Sequence, residues 1–530
     1  MTASVLLSPH LSIPDLVMVA REDRTVASMD RETCARVEAS RAVVEHALAQ
    51  PDTMMYGVTT GYGSLSTTRI HPDDRARLSR NVILKCAVGV GEPLSRDWVR
   101  AMLLIRANSL ARGVSGVRPE IITTLVDMLN KGVTPYVPGK GSLGASGDLA
   151  PLAHIALVAT GGVDDTADSF SGQAWVGEEL LDGAAAMARV GIPRPVVQAK
   201  EGLALTNGTT MMVAGGALAL HDARSLVRHA ELAAALSIEG LLGRSPAFDP
   251  ALHRVSNQPG QIRTAGRLRA LFAESQLIDS DPGRVQDAYS LRCTPQVLGP
   301  IHDMIDFLWG RVEGSLSAAS DNPLIFPGND SNEEGSAISG GNFHGAGPAL
   351  WMDTLGIAIA EAANISDRRV FRMLTPELSG GLPAMLVSNP GLNGGLMSAQ
   401  YTGAALVSDN KTLAHPDSVD SIPTCAGQED HVSMGANAAR HTWEILGNVK
   451  TVLAVEFLAA SQAIHLRPDG RAKLGRGSQA VYDILRAHVE PIETDRSLAA
   501  DLGVIETLMD EGTLADAAAS ALEDMARDEK

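Results

Sequence analysis

The sequence predicts a mostly α protein, in which a loop-rich N-terminal domain precedes a long central helix bundle. Alanine and leucine are plentiful and aromatic residues make up only 4 % of the 530 residues, a composition that favours helix over sheet. From Glu444 onward, Leu446, Val449, Leu453, Phe457, Ala460 and Ile464 recur every three or four positions, which is the spacing of one helix face. No strand-rich block is long enough for a large sheet. Residues 1–205 read as the N-terminal domain, and 206–530 as the bundle with a C-terminal helical region.

A lead-in is followed by a helix over 30–49 that ends before Pro51. The next stretch, YGVTTGYGSLSTTR at 56–69, has the glycines and small polar residues of a shaped loop. Its Tyr56 either reaches into a cavity or packs as the aromatic of a surface turn. Helical patterning resumes at 75–85, 98–112 and 118–131, and a polar stretch at 164–178 reads as an exposed excursion. KEGLALTNGTT, starting at Lys200, opens a helix expected to run to about Gly243. Further helices are expected at about 300–318, 348–373 and 398–413, and such apolar stripes bury themselves against one another in a bundle.

Forty-four Lys and Arg against 62 Asp and Glu give a net charge of −18, which argues against nucleic acid or an anionic membrane as partner. Cys34, Cys86, Cys293 and Cys425 form no CxxC pair. Neither a disulfide framework nor a structural zinc site is expected, and a reducing cytoplasm is the default compartment. The N-terminal residues lack the basic and apolar regions of a signal peptide. Residues 202–220 are uncharged but carry threonines, Asn207 and four glycines, so they read as a buried helix entry rather than a membrane span.

The chemistry centres on residues 139–151, GKGSLGASGDLAP. A backbone nitrogen can attack a carbonyl two residues earlier only where the chain bends tightly and nothing crowds it, conditions that suit glycine. Attack by Gly147 nitrogen on the Ala145 carbonyl, with loss of one water from the ring and one from Ser146, would give a methylidene-imidazolone, a conjugated ring ending in an electrophilic CH2. Two other readings stand beside it. One is a small-residue turn in which Asp148 or Ser146 caps a helix beginning at Leu149. The other is a nucleotide loop, because Gly139, Gly141 and Gly144 spell GxGxxG; Pro135 and Pro138 disfavour the strand that this motif needs.

Four polar stretches lie between the helices. RVQDAYSLRCTPQ spaces Gln286, Tyr289 and Arg292 at intervals of three, so that a helix would put all three on one face. There Tyr289 could serve as a base, its phenolate stabilised by Arg292, and Arg292 could hold a carboxylate by two parallel bonds; an ordinary helix surface is the alternative. SDNPLIF at 320–326 is a turn by composition, and SGGNFHGAG at 339–347 sets Phe343 among glycines, either on a pocket wall or in the core. CAGQEDHVSM crowds Gln428, Glu429, Asp430 and His431 before a helix, where acids are explained by capping and the dipole. A metal site needs more ligands at defined spacing, so His431 reads as structural and no metal is expected. The inventory suits removal of a poorly acidic β-proton and departure of an amine from an amino acid.

GSLGASGDLAPLAH, YGVTTGYG, KEGLALTNGT, QDAYSLRCTPQ, SDNP, GGNFH and QEDHVSM occur in the order in which similar motifs occur in the aromatic amino acid ammonia-lyases and aminomutases. The chain resembles that family over nearly its whole length, and most closely its histidine branch. The resemblance implies a homotetramer on a central helix bundle, with active sites assembled from three subunits. It also implies that Ala145, Ser146 and Gly147 form a 4-methylidene-imidazol-5-one prosthetic group. Tyr289 would be the β-carbon base and Tyr56 the second catalytic tyrosine. Asn207 and Gln286 would support the group and substrate, Arg292 would bind the carboxylate, and Phe343 would line the pocket. Gln428 joins the substrate-binding set, and Glu429 matches a catalytic glutamate of histidine ammonia-lyases.

This sequence departs from the histidine branch at three points. Thr59 stands where an asparagine is usual, Gly427 replaces an asparagine, and Cys86, preceded by Lys85, occupies the ring-selecting position where histidine is usual. A cysteine cannot make the same hydrogen bond to an imidazole. The expected activity is therefore ammonia elimination from an aromatic L-amino acid, with L-histidine to trans-urocanate leading. A tyrosine, phenylalanine or other heteroaromatic lyase or 2,3-aminomutase is the alternative, and an inactive helical scaffold is the alternative of another class.

Overall fold

The computed structural model describes residues 4–50, 52–166, 169–328 and 332–528, and divides the chain into two compact units. The first comprises 1–221, 309–353 and 416–440, the second 222–308, 354–415 and 441–530. The division expected at 205/206 thus falls inside the first unit. The units interleave along the sequence because the long helices Thr210–Gly240, Thr294–Leu316, Ala346–Leu374 and Gly435–His465 each contribute residues to both.

The first unit is built around the helix Arg96–Leu110, which is buried without interruption from Trp98 to Leu110. A helix buried on every side has no solvent for its polar groups, so they must find partners within the protein. The Trp98 indole donates to the Met211 carbonyl (2.9 Å), and Gly215 lets the next helix approach, since a Cβ there would stand 2.2 Å from the Trp98 ring. Arg100 donates to the Val19 and Ala20 carbonyls. The flanking helices Arg31–Ala49, Arg75–Cys86 and Pro119–Asn130 end within two residues of the expected limits. Small antiparallel sheets complete the unit: Val90–Pro93 pairs with Pro138–Lys140, Gln173–Val176 lies between Val133–Pro135 and Glu179–Asp182, and Leu324–Phe326 pairs with Ser336–Ile338.

Two expectations are corrected here. The glycine-rich turn follows a strand, Pro138–Lys140, but that strand pairs antiparallel with Val90–Pro93 rather than opening a βαβ unit, which removes the nucleotide-loop reading. The polar stretch at 164–178 is an excursion only in its first part, of which 167–168 lie outside the described residues; its second part, Gln173–Val176, is a central strand.

In the second unit the long helices supply the core. Leu446, Val449, Leu453, Phe457, Ala460 and Ile464 are all buried, as the periodicity predicts. Three helices are tied by one buried carboxylate: Glu456 pairs with Arg369 (Nη2 to Oε2, 2.8 Å) and accepts from Ser237 (2.7 Å). The stretch predicted as one helix from Lys200 is two, Glu201–Thr206 and Thr210–Gly240, with Asn207 extended between them and Gly208 at φ +140°. No helix among the described residues is long and apolar enough to cross a membrane.

Lys200 and Asp321 form an ion pair (2.6 Å) with both side chains fully buried, and the second Asp321 oxygen accepts from Ser115 (3.0 Å). Removing one partner strands the other charge without solvent. Lys200→Met is expected to lower the unfolding free energy by about 3–5 kcal/mol, and Lys200→Met with Asp321→Leu to recover most of that loss. Denaturant unfolding followed by circular dichroism measures both.

Candidate active site

The GASGD turn leads into the helix Leu149–Ala159. Gly147 adopts φ +72°, and a Cβ there would lie 2.3 Å from the Gly208 carbonyl oxygen, so only glycine fits. The two glycines form an isolated parallel bridge, and Asp148 N–H donates to the Gly208 carbonyl (2.7 Å). Gly208 is similarly confined: a Cβ on it would meet Arg106 Nη2 at 2.2 Å and Ser320 Oγ at 2.5 Å. These close approaches explain the helix break. Asn207, at the break, donates through Nδ2 to the Ser146 carbonyl (2.6 Å), and its Oδ1 is buried without a partner.

Ser146 is half-buried and donates to Glu429 Oε1 (2.6 Å), whose other oxygen accepts from Thr424 (2.6 Å). Tyr56, Ala145, Ser146, Phe343, Gln428 and Glu429 line a cavity of about 730 Å³. A narrower recess of about 100 Å³ shares Tyr56, Ser146, Phe343 and Glu429 and adds Lys85, Cys86 and Asn207. The first unit alone supplies all of these residues.

The electrostatics follow from burial. Desolvation pushes the Tyr56 phenol above its ordinary value despite the Gly63 N–H that it accepts (2.8 Å), so it stays neutral at physiological pH. Desolvation also raises the Cys86 thiol, with Lys85 pulling the other way. The Lys85 ammonium sits 4.4 Å from the centre of the Tyr62 ring, a cation–π contact. Beneath the turn, burial drives the Asp148 carboxyl up to about 6 while the Met212 N–H and Ser142 hydroxyl hold it down. Burial likewise lowers the Arg106 guanidinium to about 10, with Asp321 and Asp148 opposing. Asp148 stands before its helix but does not cap it; its carboxylate receives Ser142 and Met212 instead, so the capping reading fails for this side chain.

Gln286, Tyr289 and Arg292 belong to the second unit. The helix that would put all three on one face is a single turn, Tyr289–Arg292, and leaves Gln286 outside it. Arg292 does lie against Tyr289, but over the ring face (4.7 Å to its centre). Tyr289 is 70 % exposed. Thr59 is buried in its own loop, accepting from Met55 N–H (2.8 Å) and donating to the Thr53 carbonyl (2.7 Å). Gly427 takes φ +84° with open space around it. His431 stacks on His344 at the cavity rim. Asn322, Tyr62 and Cys425 also line the site; they lie in the stretches SDNP, YGVTTGYG and CAGQEDHVSM, but none was assigned a site role from the sequence. Arg106 also went unassigned from the sequence; it follows the apolar run Ala101–Ile105 within its helix.

The chain matches the aromatic amino acid lyase family over residues 11–487. It is 48 % identical over 519 residues, 98 % of each chain, to a histidine ammonia-lyase of Gloeobacter violaceus. Among solved structures, a histidine ammonia-lyase from Trypanosoma cruzi superposes with a TM-score of 0.87 at 37 % identity, covering 98 % of this chain and 96 % of that one. A tyrosine aminomutase from Streptomyces globisporus gives 0.89 at 34 %, covering 98 % and 99 %. The fold and these relatives define a carbon–nitrogen lyase. The chain belongs to the aromatic amino acid lyase family.

Cys425 is exposed and packs against the Tyr56 loop, its sulfur 2.6 Å from where a Cβ on Gly63 would be, whereas Cys86 is buried. Limiting maleimide on the native protein is expected to label Cys425 first, with Cys86 reacting only once denaturant opens the fold. Peptide mass mapping distinguishes the two, and prior labelling of Cys86 would mean that the inner recess is open.

Proposed function

We propose that the chain eliminates ammonia from L-histidine to give trans-urocanate, using a 4-methylidene-imidazol-5-one made from Ala145, Ser146 and Gly147. The observation that carries this reading is the setting of Ser146, at a cavity wall with its carbonyl held by Asn207 and its hydroxyl by Glu429. The residues fit the group. Gly147 lies in a cradle that a Cβ would fill, and the buried Asn207 Oδ1 has no partner and is a spare acceptor. The group would supply an electrophile that turns the substrate's nitrogen into a leaving group.

The remaining roles fall to the chain's own side chains. Tyr56, kept neutral by burial, can donate a proton into the cavity. Tyr289 takes the β-proton, and Arg292 holds the substrate carboxylate by two parallel bonds. Phe343 and Gln428 line the binding space, and Gln286 supports it. Glu429 offers a carboxylate to an imidazole N–H, a partner that a phenyl ring lacks. Histidine is further supported by relatives named histidine ammonia-lyase at 44–48 % identity. The buried Cys86 and the likeness to a tyrosine aminomutase favour, as a second reading, another aromatic amino acid as substrate or a 2,3-amino shift.

The proposal includes a homotetramer with active sites shared among three subunits, in which another copy supplies Tyr289 and Arg292. Exposed Leu350, Ile357, Phe371 and Tyr401 on long helices favour such assembly. The four free cysteines support a reducing, cytoplasmic setting.

Ammonia release from L-histidine, L-phenylalanine, L-tyrosine and L-tryptophan tests the proposal, with products identified by mass. Histidine is expected to yield ammonia and urocanate, Ser146→Ala to abolish both, and Tyr56→Phe to reduce turnover by roughly 10²–10⁴-fold. A β-amino acid from tyrosine, with histidine untouched, would overturn histidine as substrate.

A further inference from the structure

Arg106 has no solvent exposure and lies midway along the central helix of the first unit, close to the turn but outside the cavity lining. Its guanidinium donates to the Ala204 carbonyl from Nη1 (2.9 Å) and to Thr210 Oγ1 from Nη2 (2.7 Å). Ala204 belongs to the last turn of the helix Glu201–Thr206, and Thr210 opens the helix Thr210–Gly240. One planar fork therefore bridges the gap that contains Asn207 and Gly208.

From that gap two hydrogen bonds bracket Gly147. Asn207 Nδ2 donates to the Ser146 carbonyl on one side (2.6 Å), and the Gly208 carbonyl accepts from Asp148 N–H on the other (2.7 Å). Both peptide planes flanking Gly147 are thus pinned to a segment whose two ends Arg106 holds. Gly208 rests so close to the guanidinium that not even a methyl group could intervene. Burying this cation is costly, and its Nε has no partner. A hydrophobic residue would fill the space more cheaply, but it could not fix both helix ends.

We propose that Arg106 is a positioning residue for closure of the Ala145–Ser146–Gly147 ring. The inference rests on the prosthetic-group reading above. In the step concerned, a bond forms between Gly147 nitrogen and the Ala145 carbonyl carbon. The Ala145 oxygen departs as water with the Gly147 and Ser146 amide hydrogens, and the Ser146 hydroxyl departs as a second water with the Cα hydrogen. Nothing is oxidised or reduced. Arg106 takes no proton in this sequence; it holds the platform against which Gly147 is aligned. A misplacement of about 1 Å in such an alignment costs on the order of 10²-fold in rate.

The test follows the intact mass of freshly synthesised full-length chain over time, with circular dichroism to select folded material. Wild-type chain should lose two waters. Arg106→Met should close its ring roughly 10²-fold more slowly while folded. Arg106→Lys, which keeps charge but not the fork, and Thr210→Val, which removes one anchor, should each slow closure by a smaller factor and remain informative if Arg106→Met fails to fold. Arg100→Met is the control, because Arg100 is a buried arginine of the same helix that binds the Val19 and Ala20 carbonyls instead. It should close at the wild-type rate. Wild-type closure rates in folded Arg106 and Thr210 variants, or equal slowing in Arg100→Met, would overturn the positioning role and leave the prosthetic group standing. A wild-type chain that never loses two waters would overturn both.

Discussion

The site depends on one close approach, the backbone of Gly147 against that of Gly208. Their separation leaves no room for a Cβ on either residue, since Gly147 would strike the Gly208 carbonyl and Gly208 would strike Arg106 and Ser320. Glycine is conformationally expensive to order, and here two are ordered against each other. What offsets that cost is hydrogen bonding with almost no slack: Asp148 N–H to the Gly208 carbonyl, and Asn207 to the Ser146 carbonyl. The helix break between Thr206 and Thr210 is the other face of the same constraint. A continuous helix would present side chains to the turn, whereas a broken one presents an extended Asn207 and a bare backbone.

Charge beneath the turn follows from that packing. The central helix is enclosed, so Arg106 and the nearby Asp148 and Asp321 can be solvated only by protein groups. Burial pulls the acid and the base toward neutrality from opposite directions, to about 6 for Asp148 and about 10 for Arg106. At neutral pH both still carry charge. Their mutual attraction, with the Lys200–Asp321 pair beside it, keeps ions inside a core that would otherwise expel them. The geometric return is that each charged group holds backbone or neighbouring side chains in place: Arg106 the Ala204 carbonyl, Asp148 the Met212 N–H.

Much of this was legible in the chain, and the reasons differ by residue. Helix positions followed from apolar spacing, because burial of one face leaves a periodic trace; Leu446 to Ile464 are an example. Ser146, Tyr56 and Phe343 were singled out by their own stretches and Glu429, Asn207, Lys85 and Cys86 by the family resemblance, and the structure gathers them around one cavity and its recess. A spacing of three puts Gln286 on the face of Tyr289 and Arg292 only where a helix continues, and here the helix is one turn long. The Lys200 segment was misread because propensity cannot register a backbone collision between residues 61 positions apart. Thr59 looked like a specificity change in sequence, yet its hydroxyl is spent on Met55 and Thr53 within its own loop. Cys86, by contrast, does line the recess, so of the three departures it is the one that changes the chemistry offered to a ligand.

That the site is assembled from afar constrains when its chemistry can begin. Ala145 to Gly147, Asn207 and Gly208, Arg106, and Thr424 with Glu429 come from four separated segments, and the hydrogen bonds that tie them together span from 61 to 283 residues. Such long-range contacts form late, after the loop-closure entropy of the intervening chain has been overcome. The turn by itself is a flexible glycine-rich peptide whose amide nitrogen has no reason to face a carbonyl two residues back. Only when the Gly208 platform is in position do both peptide planes around Gly147 lose their freedom. A ring built from backbone atoms would therefore be a product of the completed fold and not of the local sequence. This accounts for the presence of so many buried polar groups around three of the smallest residues in the chain.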